Sequence, residues 1–242
     1  MRVMSALSTV RTALVPFLVL AAVSCGHSTS PERQPELRNE VSSAPVAPAR
    51  STGPQVPRIV VLGDSITAGL GLPRDDSYPS LLQKKLNEEG YQYEVVNAGV
   101  SGDTSADGLR RADWVLEGDV QVLIVALGGN DALRGLPAAQ MKDNLQRIIT
   151  KARERGISVL LVGMEAPPNY GERYTGDFRK VFRDLAAENH VPFVPFLLAG
   201  VAGVADLNQA DGIHPTPRGA ARVAALLWPP LENMIQTGRT RR

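Results

Sequence analysis

The stretch Ile59-Val60-Val61-Leu62, followed at once by Gly63-Asp64-Ser65-Ile66-Thr67, decides the fold. A short β-branched run that ends in glycine and small polar residues reads as a buried strand breaking into a tight turn. That reading puts the Ser65 hydroxyl at the rim of a sheet. Small polar residues also occupy turns for backbone reasons alone, so the weight of Ser65 depends on whether the rest of the chain repeats the pattern.

It does so four more times. Tyr78 to Glu89 is expected as a helix with Leu81, Leu82 and Leu86 on one face and Gly90 as its stop. Tyr93 to Asn97 is a second strand. It runs into Ala98-Gly99-Val100-Ser101-Gly102-Asp103-Thr104, which opens a helix whose Leu109, Trp114, Val115 and Leu116 can face the sheet. Val120 to Leu127, almost unbroken in apolar residues, suits a central strand covered on both faces. It breaks at Gly128-Gly129-Asn130-Asp131, before a helix from Ala138 to Glu154.

Ile157 to Val162 is the fourth strand, and Met164 to Gly171 is a loop too rich in proline to be helical. A helix from Asp177 to Glu188, a fifth strand from Val191 to Phe196 and a closing helix from Pro217 to Ile235, interrupted by Pro229-Pro230, complete the chain. Strands alternating with amphipathic helices give an α/β class, a three-layer α/β/α sandwich around a mainly parallel five-stranded sheet of flavodoxin-like order. Ligands in such sheets bind beyond the carboxyl ends of the strands. Ser65, Gly102, Asn130 and His214 each follow a strand or lie beyond the last one, so all four are expected at one edge.

The folded domain is read as residues 58–236, with a basic tail at 237–242. Ahead of it, Arg2 and Arg11 precede an apolar run from Thr12 to Val23. About 20 apolar residues are needed to span a bilayer, so this run suits an export signal over residues 1–25. It closes with Leu20-Ala21-Ala22-Val23-Ser24-Cys25, which resembles a bacterial lipobox with Ala22 where leucine is usual. Lipidation of Cys25 and ordinary cleavage nearby both stay open; the protein is expected to be exported, as a periplasmic or cell-envelope lipoprotein or in secreted form. Residues 26–57 are rich in Pro, Ser and Ala without apolar period, and read as a disordered tether.

Composition excludes several classes. Among 242 residues the formal net charge is only +1, which argues against a nucleic-acid partner, since that calls for a basic face. One cysteine rules out an intrachain disulfide, and with three histidines it cannot build a zinc-type cluster. No metal is expected, although an all-carboxylate site stays possible. Oligomeric state is left open.

A serine hydroxyl needs a neighbouring base, usually a histidine whose other nitrogen is held by a carboxylate. His27 falls in the tether and His190 at a helix end, which leaves His214, with Asp211 three residues earlier. Acyl transfer also needs donors for the oxyanion; the backbone N–H groups of Ser65 and Gly102 and the Asn130 amide are suited to it. Asp64 and Asp131 read as turn and cap residues.

Gly63-Asp64-Ser65-Ile66, Asn97 to Ser105, Gly128-Gly129-Asn130-Asp131 and Asp211-Gly212-Ile213-His214-Pro215 resemble, in order, the four sequence blocks of the SGNH (GDSL) hydrolases. Leu133-Arg134-Gly135 and Pro168-Asn169-Tyr170-Gly171 add a similarity to the bacterial thioesterase, arylesterase and lysophospholipase branch. The resemblance implies Ser65 as nucleophile, His214 as base and Asp211 as its orienting partner. It also implies Ser65, Gly102 and Asn130 as oxyanion donors, no cofactor, and acyl esters, thioesters or lysophospholipids as substrates. A carbohydrate O-deacetylase on the same site, and a tethered binding module without chemistry, are the competing readings. Pro195-Phe196-Leu197-Leu198 and Met164 to Tyr170 hint at an acyl groove, and either segment can instead simply pack.

Overall fold

The computed structural model describes residues 56–240; the expected export signal, Cys25 and nearly all of the tether lie outside them. Strand β1 (Arg58–Gly63) is followed by the one-turn helix α1 (Ser65–Ala68), helix α2 (Tyr78–Glu88) and strand β2 (Glu94–Gly99). Helix α3 (Ser105–Val115), strand β3 (Val120–Ala126), the short helix α4 (Gly129–Leu133) and helix α5 (Ala138–Glu154) come next. Strand β4 (Ser158–Val162), helix α6 (Gly171–Asn189), strand β5 (Phe193–Val194) and helix α7 (Pro217–Thr240) close the chain.

The sheet order is β2-β1-β3-β4-β5 and every pairing is parallel. Ile59, Val60, Val61 and Leu62 of β1 and Leu123 to Ala126 of β3 have no exposed surface, as strands covered on both faces require. Helices α3, α5 and α6 pack in sequence on one another, while α2 packs on α7; these are the two outer layers. Gly63 pairs with Gly99 on one side and with Ala126 on the other. Three strands therefore end level, and their loops start from one plane. Because the chain passes from β1 outward to β2 and returns on the other side of β1 as β3, the switch point falls beside β1, where a doubly wound sheet opens a crevice.

Several expectations are corrected. Trp114 does not face the sheet; it is 72% exposed. The sheet side of α3 is made of Ser105, Gly108, Ala112 and Val115, and a β-carbon on Gly108 would lie 2.2 Å from Leu127 Cδ1, so the helix sits too close for a large ring there. Strand β5 is only two residues long, because Pro192 and Pro195 flank it and neither can donate to a ladder. Helix α6 starts at Gly171, ahead of the expected Asp177, since the prolines end in a 3-10 turn at Pro168–Tyr170 whose geometry they fit.

Helix α7 runs through Pro229 and Pro230 without a break and continues past Gln236 to Thr240. Two N–H groups are lost from its ladder, but Val223, Leu227, Leu231 and Ile235 recur at every fourth position and are all essentially buried. That continuous apolar stripe holds the helix to the core on both sides of the prolines. Leu197 and Leu198 are buried as well and Phe196 partly so, so these side chains of the Pro195 to Leu198 segment pack on the core.

Candidate active site

The Asp64 carboxyl caps α1, its Oδ1 accepting the Ile66 N–H at 3.0 Å. Gly63 is required just before it: a β-carbon there would sit 1.9 Å from Thr67 Oγ1. Thr67 is fixed in turn by a 2.6 Å bond shared with the buried Tyr78 hydroxyl, and its carbonyl accepts from Asn97 Nδ2 at 2.9 Å. This tight turn presents Ser65, half-buried, at the end of β1.

His214 arrives from the far end of the chain. Its Nε2 lies 2.8 Å from Ser65 Oγ, and its Nδ1 lies 2.6 Å from Asp211 Oδ2. The other Asp211 oxygen accepts the backbone N–H groups of Ile213 at 2.9 Å and His214 at 3.0 Å. One carboxylate thus shapes the turn and orients the imidazole. The hydrogen bond from His214, reinforced by those two N–H groups, holds Asp211 down at about 2, so it is ionised and acceptor-only at neutral pH.

Gln209, missed in the sequence, ties the His214 loop to the loop that follows Ser65. Its backbone N–H donates to the His214 carbonyl at 2.7 Å, and its Nε2 donates to Leu70 O at 2.8 Å and Pro215 O at 2.9 Å.

Gly102 adopts φ 87°, the left-handed region that favours glycine. Behind it, Thr104 and Asp107 form a reciprocal capping box that fixes the start of α3. The N–H groups of Ser65 and Gly102 have no hydrogen-bond acceptor among the described residues. Asn130, in the first turn of α4, directs its Nδ2 to Asp103 O at 3.0 Å and, at 3.4 Å, to Asp64 Oδ2. Ser65, Gly102, Asn130, Asp211 and His214 are therefore brought to one strand edge.

Two further residues secure that edge. Arg111 donates from Nε to Asp103 Oδ2 at 2.7 Å and from NH2 to Gly63 O at 3.0 Å, bridging the loops after β1 and β2. Arg134 donates to the Gly102 carbonyl at 2.8 Å. Asp131, as expected of a cap, serves a neighbouring helix: its oxygens accept the Ser105 N–H at 2.8 Å and Oγ–H at 2.6 Å. No group of three or more His, Cys, Asp or Glu placed to hold a metal occurs among the described residues.

Around these loops Leu70, Val100, Leu133, Tyr170 and Ile213 are exposed apolar side chains. Leu70, Val100, Leu133 and Ile213 lie close in sequence to Ser65, Gly102, Asn130 and His214, and the Tyr170 hydroxyl donates to Leu133 O at 2.8 Å.

Comparison with known proteins gives the same grouping. Esterase TesA of Pseudomonas aeruginosa is 47% identical over 178 residues, covering 73% of this chain and 89% of that protein. Thioesterase 1/protease 1/lysophospholipase L1 of Escherichia coli (strain K12) is 37% identical over 158 residues, 65% of this chain and 74% of that protein. Among solved structures, the psychrotrophic esterase EstA from Pseudoalteromonas sp., inhibited by monoethylphosphonate, is 30% identical with a TM-score of 0.71, covering 74% of this chain and 98% of that one. The model of the GDSL-like lipase/acylhydrolase family matches residues 61–222, which span the loops after β1, β2 and β3 and the His214 turn. The chain belongs to that family.

Proposed function

We propose that this family member is a serine ester hydrolase that cleaves acyl esters, thioesters and lysophospholipids through an acyl-enzyme on Ser65. The observation that carries it is the unbroken hydrogen-bond line from Asp211 through His214 to Ser65 Oγ. His214 Nε2 takes the Ser65 proton as Oγ bonds to the substrate carbonyl carbon, and the carbonyl oxygen becomes an oxyanion. The Ser65 and Gly102 N–H groups and Asn130 Nδ2 receive that charge, a role in which one donor is worth roughly 2.7 to 4 kcal/mol. The tetrahedral adduct collapses as the bond to the leaving oxygen or sulfur breaks, with the His214 proton passing to it. Water, deprotonated by His214, then attacks the acyl-Ser65 ester and returns the free acid and the Ser65 hydroxyl. Asp211 holds the imidazole in the tautomer with the proton on Nδ1 and stabilises the imidazolium.

The exposed apolar side chains Leu70, Val100, Leu133, Tyr170 and Ile213 on the loops near the site support an acyl-chain substrate over the acetyl groups of a glycan. For place of action, the reading is an exported enzyme, held at the cell envelope through lipidated Cys25 with residues 26–57 as its tether. The test of the chemistry is turnover of p-nitrophenyl esters from acetyl to palmitoyl by the soluble domain beside Ser65→Ala. The expected outcome is activity extending beyond acetyl and lost with the substitution, together with Ser65-dependent labelling by a fluorophosphonate. Equal rates in the two proteins would remove Ser65 from the mechanism.

A further inference from the structure

Asp64 is a buried carboxyl that the acyl-enzyme chemistry does not use. Its cap on α1 occupies only Oδ1. Oδ2 points instead across the crevice, 3.4 Å from Asn130 Nδ2, in a space so closed that a β-carbon on Gly129 would lie 3.0 Å from it and 3.0 Å from Met164 Cε.

A terminal amide can be rotated by half a turn, exchanging its NH2 and its oxygen at almost no steric cost. For Asn130 the two orientations are opposite in chemistry: one offers a donor to an oxyanion, the other a repelling oxygen. What distinguishes them is the set of neighbours, and both neighbours of Nδ2 are acceptors, the Asp103 carbonyl and the Asp64 carboxyl. Turned round, the Asn130 oxygen would face two oxygens. We propose that Asp64 is a positioning residue that selects the donor orientation of Asn130 and so sets the oxyanion site. The proposal rests on the serine-esterase reading. The Asp103 contact, at 3.0 Å, anchors one amide hydrogen, while the longer Asp64 contact steers the second and leaves it free to be shared with an arriving oxyanion.

The carboxylate does this because it has two acceptor atoms. Burial, partly offset by the Ile66 N–H and the charge of His214, pushes Asp64 up to about 6, so above that pH it is ionised and acceptor-only. Asparagine in its place has one oxygen where two are needed. If that oxygen stays on Ile66 N–H, the helix cap survives, but an NH2 then faces Asn130 and rewards the wrong amide orientation.

A double-mutant cycle tests this, with Asp64→Asn, Asn130→Ala and the pair, measured on p-nitrophenyl butyrate. Asn130→Ala is expected to lower kcat by about 10²- to 10³-fold, as loss of one oxyanion donor does. Asp64→Asn should lower kcat by about tenfold with KM changed much less, since only transition-state binding is touched. In the Asn130→Ala background, Asp64→Asn should change kcat by less than about twofold.

An equal loss in both backgrounds would overturn the proposal, because Asp64 would then act without Asn130; so would a full-rate Asp64→Asn enzyme. Gly129→Ala, which crowds Oδ2 without removing the carboxyl, provides a second arm. Its kcat loss should likewise vanish beside Asn130→Ala, and its persistence there would count against the idea. A wild-type protein inactive on every ester would instead overturn the esterase reading, which separates the two failures.

Discussion

At the scale of single residues, Asp64 has a cost in stability. Its folded-state pKa of about 6 lies above the ordinary carboxyl value of 3.8, chiefly through burial, with the Ile66 N–H and His214 opposing the rise and the nearby Asp103 charge adding to it. The sign follows: the group's contribution is fully favourable below the unfolded pKa and is lost as pH rises through about 6. Above that, the ionised carboxylate disfavours the fold by on the order of 3 kcal/mol. Asp64→Asn should therefore be more stable than the wild type in urea unfolding at pH 8 and indistinguishable from it near pH 3.5. A stability difference of the same size at both pH values would show that burial of charge is not the cause. With the kcat loss expected from the same substitution, Asp64 would be a residue kept for function against stability.

At the scale of elements, the loops after β1 and β2 are coupled by Arg111. The Arg111–Asp103 side chains are only 18% and 13% exposed, so the pair is shielded from water, and the same guanidinium also reaches Gly63 O. Arg111→Met should lower unfolding stability by about 1–3 kcal/mol, since it strands a largely buried carboxylate. It should also lower kcat several-fold, as the Ser65 turn and the Gly102 loop lose their common anchor. Urea titration and steady-state rates check both; a variant with reduced stability and unaltered kcat would show that α3 capping alone holds the Gly102 loop.

Elements also mark what the sequence could disclose. The runs Ile59 to Leu62 and Val120 to Ala126 were legible because a buried parallel strand has a composition of its own, and the blocks holding Ser65, Gly102 and Asn130 because each follows the end of a strand. Arg111 and Gln209 were not. Their partners lie eight residues away at Asp103 and 139 away at Leu70, separations without periodic signature that acquire meaning only when loops meet. Trp114 was misread because the helix face is chosen by clearance at Gly108 rather than by the largest apolar side chain. The length of α7 was misread because prolines were weighed locally, whereas the stripe from Val223 to Ile235 acts over the whole helix.

At the scale of the whole molecule, no helix of the described residues is long and apolar enough to cross a membrane, and the proposed lipid anchor at Cys25 has its own test. Cys25→Ser in the full chain, expressed in a bacterium, should shift the protein from the membrane pellet to the soluble exported fraction while leaving its specific activity on p-nitrophenyl butyrate intact. Retention of the variant in the pellet would remove the lipid anchor from the account.

The hydrogen bond between Ser65 and His214 joins positions 149 residues apart, with α7, which completes the core, lying after the histidine. On a ribosome Ser65 would emerge long before His214, its proposed base, and the packing that holds the histidine would come last of all. A nascent or truncated chain thus has a serine but no working charge line. On the proposed mechanism, catalysis therefore waits for the last part of the fold to form.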